Sequence, residues 1–243
     1  MKNVILNLYL TYKCNFQCNH CLHNCSPDRN EFMTPTQIEY VHNVIVQLMK
    51  KNYQISVIGL SGGEPMMHPS FYPILEGFLP LKKVIPIELH TNGSIPFSQD
   101  LAWMNFFRLV RISTDIFHEK FRKVSTLNVN SFYNSALDVL VHKGTWVKDK
   151  GRGANIDPSL STPVSKEYCY FDNKNIYLTF DPNGIRFCLE NSTINRSESP
   201  NFTAYKDEYI TDIDQLLLLG DNFVQNHTGV NCKNKCKYGM LKV

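Results

Sequence analysis

Three cysteines near the amino terminus carry the most specific chemical signal in this sequence. Cys14, Cys18 and Cys21 follow the spacing C-x3-C-x2-C within one short loop. Three thiolates held this close together can bind three of the four irons of a [4Fe–4S] cube, and they leave the fourth iron without a protein ligand. The loop also contains His23 and Cys25, so these residues alone leave a zinc knuckle open as a second interpretation.

A second motif favours the iron–sulfur interpretation. Gly62-Gly63-Glu64-Pro65 directly follows the apolar run from Ile55 to Leu60, which predicts a buried strand. A zinc knuckle gives no reason for such a motif. Together, the cysteine spacing and this second motif closely resemble the radical S-adenosylmethionine (SAM) superfamily. The resemblance covers essentially the whole chain and is most specific over residues 4–115.

The resemblance implies a reaction and its cofactors. In this family the open iron of the cluster chelates the amino and carboxyl groups of SAM and passes one electron into the sulfonium. The resulting 5′-deoxyadenosyl radical abstracts a hydrogen atom from a carbon of the substrate. The expected cofactors are therefore a [4Fe–4S] cluster and SAM, and the expected reductant is a flavodoxin- or ferredoxin-type protein.

The resemblance also implies which residues contact SAM, although each of them alone has an ordinary interpretation as turn or cap chemistry. The backbone around Gly62 and Gly63 is expected to contact the SAM amino group, and Glu64 is expected nearby. His20 is expected to pack near the adenine, and Arg152 is a candidate partner for the SAM carboxylate or the substrate. The remaining polar residues expected to line the pocket are Asn92, Ser113 and Asp115.

Four further cysteines lie in the last third of the chain: Cys169, Cys188, Cys232 and Cys236. Their arrangement resembles the twitch module, a shortened SPASM domain that carries an auxiliary [4Fe–4S] cluster, and the layout is similar to that of 2-deoxy-scyllo-inosamine dehydrogenase. Three residues rather than two separate the last two cysteines, which departs from that pattern. A structural zinc site with four thiolate ligands is the alternative.

Cys25 is left over from both sets of cysteines. One interpretation is that it is an inert, small hydrophobic residue of the core. The other is that its weak S–H bond returns a hydrogen atom to a substrate radical, as in radical epimerases.

Apolar runs alternate with helical patterns along the first two thirds of the chain. Strands followed by helices predict βαβ units and a mostly parallel sheet, here a partial (β/α)6 barrel of the α/β class. The predicted strands cover residues 4–10, 55–60, 84–90, 109–113 and 146–156. The predicted helices cover residues 34–51, 70–79, 98–107 and 131–142. In the first of these, Thr34 and Gln37 form a capping box, and Pro35 suits the first turn.

The alternation of predicted strands and helices ends at about residue 157. Asn175–Phe180 and Ile185–Leu189 flank the turn signal Asp181-Pro182-Asn183-Gly184, which predicts a β-hairpin. A short helix is predicted from Thr211 to Leu219. We therefore divide the chain into a barrel over residues 1–156 and an auxiliary-cluster module over residues 157–243.

Composition excludes some classes of function. The net charge of +3 is too small to indicate binding to nucleic acid or an anionic membrane. The apolar stretch at the amino terminus is short and is interrupted by Asn7, so it predicts neither a signal peptide nor a membrane span. We expect a cytoplasmic protein with reduced cysteines. Four lysines of the tail either form an ordinary solvated surface or attract an acidic electron donor such as a flavodoxin: Lys233, Lys235, Lys237 and Lys242.

The sequence says less about the substrate than about the reaction. The first expectation is modification of a ribosomally made peptide by epimerisation, cross-linking or oxidation. The alternative is a dehydrogenase or epimerase that acts on an aminocyclitol or sugar. An alternative of another class is a non-enzymatic protein with two zinc sites.

Overall fold

The structure is a computed structural model of the chain. The residues that it describes are 3–18, 21, 23, 25–113, 128–142, 146–148, 161–163, 175–186, 212–219 and 239–242. Several predicted site residues lie outside this set: His20, Asp115, Arg152, Cys169, Cys188, Cys232 and Cys236.

The described residues form ten strands and three α-helices. The strands are β1 (Asn3–Tyr9), β2 (Gln54–Ser61), β3 (Ile87–Thr91), β4 (Phe107–Ser113), β5 (Ala136–His142), β6 (Trp146–Lys148), β7 (Ser161–Pro163), β8 (Asn175–Asp181), β9 (Gly184–Arg186) and β10 (Gly239–Lys242). The helices are α1 (Pro35–Lys50), α2 (Phe71–Phe78) and α3 (213–219).

The main sheet has the strand order β5-β4-β3-β2-β1-β8-β9. All pairs from β5 to β8 are parallel, and only β9 runs antiparallel to its neighbour. Six parallel strands in this order, crossed by helices, confirm the predicted α/β class and the partial barrel. The three short strands β6, β10 and β7 pair antiparallel in a second sheet.

Helix α1 begins where the sequence predicts. The Thr34 hydroxyl accepts the Gln37 N–H at 3.2 Å, and the Gln37 side chain accepts the Thr34 N–H at 2.8 Å. This reciprocal box satisfies two donors that the first helical turn otherwise leaves unpaired. The Gln37 amide also donates to the Pro182 carbonyl at 3.2 Å, so the start of α1 is joined to the hairpin turn. The other end of α1 is joined to α3 by an ion pair between Lys51 and Asp214.

The hydrophobic core lies between the sheet and the helices. Alternate residues of β1, including Leu6 and Leu8, are fully buried in it, as are Leu178 and Phe180 of β8. Tyr40 of α1 lies edge-on to Phe180, with ring centroids 6.3 Å apart. Because side chains alternate along a strand, the residues between these core positions face the opposite side of the sheet.

The helix predicted over residues 98–107 is wrong. The structure has a single 3-10 turn, Leu101–Trp103, and Phe107 already begins β4. Asp100 caps this turn by accepting the Ala102 N–H at 2.9 Å. Asn105 then adopts a φ of 50°, which a right-handed helix does not tolerate, and the chain turns into the sheet.

The helix predicted over residues 131–142 is also wrong. A 3-10 turn, Val129–Phe132, precedes β5, which pairs parallel with β4 along its whole length. Leu137 and Leu140 create the apparent helical periodicity, yet their side chains are largely exposed at the edge of the sheet. Pairing with β4, together with the β-branched Val139 and Val141, overrides that periodicity.

The later predictions have mixed outcomes. The hairpin is confirmed, with Thr179 opposite Arg186 and the Asn183 N–H bonded to the Asp181 carboxylate at 2.6 Å. Its first strand pairs with β1 and so extends the main sheet. The division at residue 156/157 stays a prediction. Only residues 146–148 of the strand predicted over 146–156 are described, and they are extended.

Candidate functional site

The cysteine loop leaves the end of β1 and is fixed at its base. The Met33 N–H donates to the Leu10 carbonyl at 2.8 Å, and the Tyr12 N–H donates to the Glu31 carbonyl at 3.0 Å. One step further along, the Cys14 N–H donates to the Ser26 carbonyl at 3.1 Å. These hydrogen bonds join the two ends of the loop, and the cysteines lie at or beyond the last of them.

The thiols of the loop pack together with two aromatic rings. Cys14, Cys18 and Cys25 are buried in one cluster with Tyr12 and Phe16, and the half-buried Cys21 packs against it. Two backbone N–H groups point at sulfur within this cluster. The Phe16 N–H lies 3.4 Å from Cys14 Sγ, and the Cys25 N–H lies 3.3 Å from Cys21 Sγ. Such donors stabilise negative charge on sulfur.

Burial affects the protonation of these thiols. It raises the pKa of the Cys14 thiol to about 12. The pKa of the Cys25 thiol is raised as well, first by its hydrogen bond to Cys21 and then by burial. The thiols of Cys14 and Cys25 in the metal-free loop therefore hold their protons at neutral pH, and metal binding has to release the proton of Cys14.

The motif at the end of β2 runs directly beside the start of the cysteine loop. The Gly63 N–H donates to the Thr11 carbonyl at 2.7 Å, and the Glu64 N–H donates to the Lys13 carbonyl at 2.9 Å. A Cβ on Gly63 would lie 2.1 Å from the Lys13 carbonyl oxygen. At Gly62, where φ is 138°, a Cβ would lie 2.4 Å from the Thr11 oxygen. Both glycines are required because two backbone segments meet here without side chains between them.

Glu64 turns from this contact into the protein interior. Its side chain is wholly buried, and its carboxylate accepts the Thr91 hydroxyl at 2.8 and 2.9 Å and the Asn92 N–H at 2.8 Å. Burial raises its pKa to about 7, although these hydrogen bonds act in the opposite direction. In this structure Glu64 therefore joins the end of β2 to the end of β3.

Asn92 connects the same point to the cysteine loop. Its Nδ2 atom lies 2.9 Å from Asn15 Oδ1 and 3.7 Å from Cys14 Sγ. Asn15 in turn donates to the Ser94 hydroxyl at 2.7 Å. The loop, the glycine motif and the end of β3 thus form one hydrogen-bonded unit.

A row of polar positions crosses the sheet on the face opposite the helices. Thr179 pairs with Asn7, Asn7 with Gly59, and Gly59 with Glu88. We call these four residues the polar row. Asn7 Nδ2 and Thr179 Oγ1 are buried, and within the described structure neither atom has a hydrogen-bond partner. Glu88 is buried and forms an ion pair with Arg108.

Comparison with known proteins assigns the family. The model of the radical SAM superfamily matches residues 8–139, which is more than half of the chain. The chain belongs to the radical SAM superfamily. The matched segment contains the cysteine loop, the glycine motif and strands β2 to β4. The expectation from the sequence is thereby confirmed, and the zinc-knuckle interpretation of the loop is set aside.

Curated proteins are similar to this chain over part of their length. The chain is 29% identical over 154 residues to a probable GTP 3′,8-cyclase of Pyrococcus horikoshii, covering 57% of this chain and 47% of that protein. It is 27% identical over 176 residues to the putative peptide biosynthesis protein YydG of Bacillus subtilis, covering 69% and 48%. The chain spans about half the length of these relatives.

A comparison with solved structures extends over nearly the whole of this chain. The crystal structure of BtrN in complex with AdoMet and 2-DOIA aligns with a TM-score of 0.55 at 16% identity, covering 95% of this chain and 91% of that one. At this identity the alignment supports a shared fold. It does not carry the ligands of BtrN over to this chain.

The residues of the loop fit the cluster that the radical SAM family implies. Three cysteines are the usual protein ligands of such a cluster, and N–H groups already point at two of their sulfurs. Among the described residues, no three His, Cys, Asp or Glu side chains are grouped closely enough to hold a metal ion as they stand.

The structure brings most of the described site residues to one edge of the sheet. Gly62, Gly63, Glu64 and Asn92 lie against the cysteine loop, as described above. Ser113 ends β4, one residue after Ile112, the register partner of Thr91. Ser113 therefore lies at the same edge, two strands from β2. Their contacts with SAM stay predictions, as do those of His20, Asp115 and Arg152.

Sequence reasoning missed the residues that connect these parts. Three of them are polar residues in predicted turn segments: Thr91, Asn15 and Ser94. Their location in turns was the only feature of the sequence that pointed to them. Asn7 was visible as an interruption of an apolar strand. Its pairing with Thr179 requires the fold, because 171 residues separate the two in the sequence. No helix of the described residues is long and apolar enough to cross a membrane.

Proposed function

We propose that this protein holds a [4Fe–4S] cluster through Cys14, Cys18 and Cys21 and uses it to cleave SAM reductively. When bound, the cluster supplies the electron for this cleavage, and the resulting radical abstracts hydrogen from a substrate carbon. The observation that carries the proposal is the junction of the two motifs. The Gly63 and Glu64 N–H groups bond to the backbone of Thr11 and Lys13, immediately before the first cysteine.

The protein's own residues prepare the loop for this role. Tyr12 and Phe16 cover the sulfurs and keep water away from them. The N–H groups of Phe16 and Cys25 compensate negative charge on Cys14 and Cys21. Gly62 and Gly63 let the bare backbone at the end of β2 lie directly against the loop, so the backbone expected to contact the SAM amino group lies beside the first cysteine.

The proposal is tested by iron and sulfide content after anaerobic reconstitution. We expect about eight irons in the wild type and about four in a variant with Cys14, Cys18 and Cys21 all changed to alanine. The matched control is Cys25→Ala, which removes the fourth thiol of the loop and should retain the wild-type iron content. Equal iron in the wild type and the triple variant would overturn the proposed ligand set.

The same measurement tests an auxiliary cluster held by Cys169, Cys188, Cys232 and Cys236. Four cysteines in the last third of the chain support it, in an arrangement that resembles the twitch module. With all four as ligands, no iron stays open for substrate, so the cluster would serve as an electron conduit or acceptor. About four irons in the wild type and none in the triple variant would remove the auxiliary cluster and leave the first cluster in place.

For the substrate, we infer a compact molecule that carries hydroxyl or amine groups, such as an aminocyclitol or sugar. The polar row supports this class because Asn7 Nδ2 and Thr179 Oγ1 have no hydrogen-bond partner among the described residues and lie in one row with Glu88. Buried polar groups are normally paired, so a ligand that bonds to both relieves their desolvation cost. Gly59 lies between Asn7 and Glu88, and because it has no side chain, the Asn7 side chain lies over it, with Oδ1 3.1 Å from where a Cβ would be. BtrN, whose fold this chain shares, was crystallised with 2-DOIA.

A peptide substrate is the second candidate. The observation that favours it is the similarity to a putative peptide biosynthesis protein, which extends over 69% of this chain. Such an enzyme would epimerise, cross-link or oxidise a ribosomally made peptide.

Deuterium transfer separates the two candidates. The reconstituted enzyme is incubated with SAM, a reductant of the flavodoxin type and a candidate substrate deuterated at carbon, and 5′-deoxyadenosine is analysed for deuterium. We expect label from a deuterated aminocyclitol or sugar, and loss of that label in Asn7→Ala and Thr179→Val. Label from peptides alone, unaffected by these two changes, would favour the peptide candidate.

A further inference from the structure

We propose that the side-chain amide of Asn92 sets the reduction potential of the cluster by donating a hydrogen bond to Cys14 Sγ. The inference rests on the proposed function, since it concerns the cluster that Cys14 would hold. Asn92 is then a positioning and tuning residue at the cluster rather than a contact of SAM.

The orientation of the Asn92 amide is fixed by its neighbours. Its Oδ1 atom accepts the Ser94 N–H at 2.9 Å and the Ser94 hydroxyl at 2.5 Å. A backbone N–H can only donate, so the atom facing it has to be the oxygen. The nitrogen therefore faces the other way, where Asn15 Oδ1 lies at 2.9 Å and Cys14 Sγ at 3.7 Å.

All polar groups of the Asn92 side chain are used in these contacts. The two N–H bonds of Nδ2 serve Asn15 and Cys14, and both lone pairs of Oδ1 serve Ser94. The backbone N–H of Asn92 is held by the Glu64 carboxylate at 2.8 Å, and only 6% of the residue is exposed. All hydrogen-bond donors and acceptors of the amide are thus used by the protein, and no donor remains for a ligand.

A donor at this sulfur acts on the redox equilibrium of the cluster. Reduction adds one negative charge to the cluster and its thiolates, and a hydrogen bond to a ligand sulfur stabilises that added charge. Burial strengthens this interaction because the surroundings have a low dielectric constant. Cys14 accepts one hydrogen bond from the Phe16 backbone, which changes at Asn92 leave in place, and a second from the Asn92 side chain. Loss of the second bond should make the cluster harder to reduce.

The test is a redox titration of the reconstituted full-length protein, followed by electron paramagnetic resonance, with iron content measured on the same samples. The cluster in question is identified by the change of its spectrum when SAM is added. We expect Asn92→Ala to shift its midpoint potential to more negative values. Asn92→Asp should shift it further, because it keeps the acceptor for Ser94, loses the N–H donor and adds a negative charge.

Ser94→Ala is the matched control. It removes the hydroxyl that donates to Oδ1 and accepts from Asn15, but it keeps the backbone N–H that orients the amide and the Nδ2 contact with Cys14. Its midpoint potential should therefore equal that of the wild type. Wild-type potentials in both Asn92 variants, at full iron content, would overturn the inference. If Asn92→Ala loses iron, the midpoint potential of the isosteric Asn92→Asp alone tests the inference. A wild type without a reducible cluster would instead overturn the proposed function.

Discussion

The Glu64 carboxylate accepts the backbone N–H of Asn92 at 2.8 Å, across the gap between the ends of strands β2 and β3. The Glu64 N–H simultaneously donates to Lys13, the residue before the first cysteine of the loop. Through its carboxylate and its backbone N–H, this buried residue therefore fixes the relative positions of three separate chain segments. Its ionisation should be visible in the stability of the metal-free protein.

Glu64 should make folding stability depend on pH. Burial raises its pKa to about 7 in the folded state, so between pH 4.5 and 7 the folded protein holds a proton that the unfolded chain has lost. Stability from this group is full below the unfolded pKa and is lost as the pH rises through 7. We expect the free energy of unfolding to fall by about 2–3 kcal/mol between pH 5 and 8.

The comparison variant for this prediction is Glu64→Gln, which has a similar shape and no proton to exchange. Urea unfolding of the reduced, metal-free protein at each pH should show that the decrease is absent in Glu64→Gln and retained in Glu39→Gln, a change at an exposed position of α1. The same pH dependence in all three proteins would contradict the prediction.

Gly63→Ala should disrupt the junction of the two motifs. The new Cβ would lie 2.1 Å from the Lys13 carbonyl oxygen, a backbone atom that cannot move without displacing the cysteine loop. We expect a loss of about 3 kcal/mol or more in stability, together with reduced iron uptake. Gly59→Ala is the control, because its Cβ would lie 3.1 Å from the Asn7 side chain, which can adjust. Calorimetry and iron analysis that rank the two variants in the opposite order would argue against this junction.

Gln37→Glu should weaken the connection between α1 and the hairpin. A glutamate keeps the acceptor for the Thr34 N–H but places a carboxylate oxygen against the Pro182 carbonyl, where Gln37 donates at 3.2 Å. We expect a loss of about 1–2 kcal/mol in urea unfolding and faster amide exchange in the hairpin. Thr34→Ser retains the capping box and should behave like the wild type. Unchanged hairpin exchange in Gln37→Glu would show that the contact with Pro182 contributes nothing.

Cys25→Ala should leave the reaction intact. Cys25 is 1% exposed and is packed among the rings of Tyr12 and Phe16, which favours the structural interpretation over that of a hydrogen donor. We expect retained SAM cleavage and product formation, with a stability loss of about 1 kcal/mol for the lost sulfur. Product analysis by mass spectrometry decides the matter. SAM cleavage without product would instead identify Cys25 as the residue that returns hydrogen, and the reaction as an epimerisation.

Strands and their following turns were predictable because each is a local pattern. The apolar run before Gly62 and the capping box at Thr34 both depend on residues within one turn or strand of each other. The helices predicted over residues 98–107 and 131–142 failed for a different reason. The exposed Leu137 and Leu140 mimic a helical repeat, while the deciding interaction is pairing with β4, which is formed by residues far away in the sequence.

The site shows the same division between local and distant information. Cysteine spacing and the glycine motif indicated the chemistry of this edge of the sheet. The contact between Asn92 and Cys14 joins residues that are 78 positions apart, and only the fold brings them together. Glu64 was expected near the SAM amino group, which stays a prediction, and the fold adds that its buried carboxylate bonds to Thr91 and Asn92. The sequence predicts that such polar residues lie near the site, but which residues they bond to depends on the tertiary structure.

The parallel pairing of β8 with β1 has a consequence for the biosynthesis of the protein. The strand that leads into the cysteine loop receives its second neighbour from Asn175–Phe180, so the ribosome has to pass residue 180 before β1 is flanked on both sides. Contacts of such long sequence separation form late in folding. The cysteine loop therefore leaves the ribosome before the strand that flanks β1 on its second side. We expect its thiols to be open to oxidation in that interval, so that reducing conditions around the nascent chain increase the yield of protein able to bind iron.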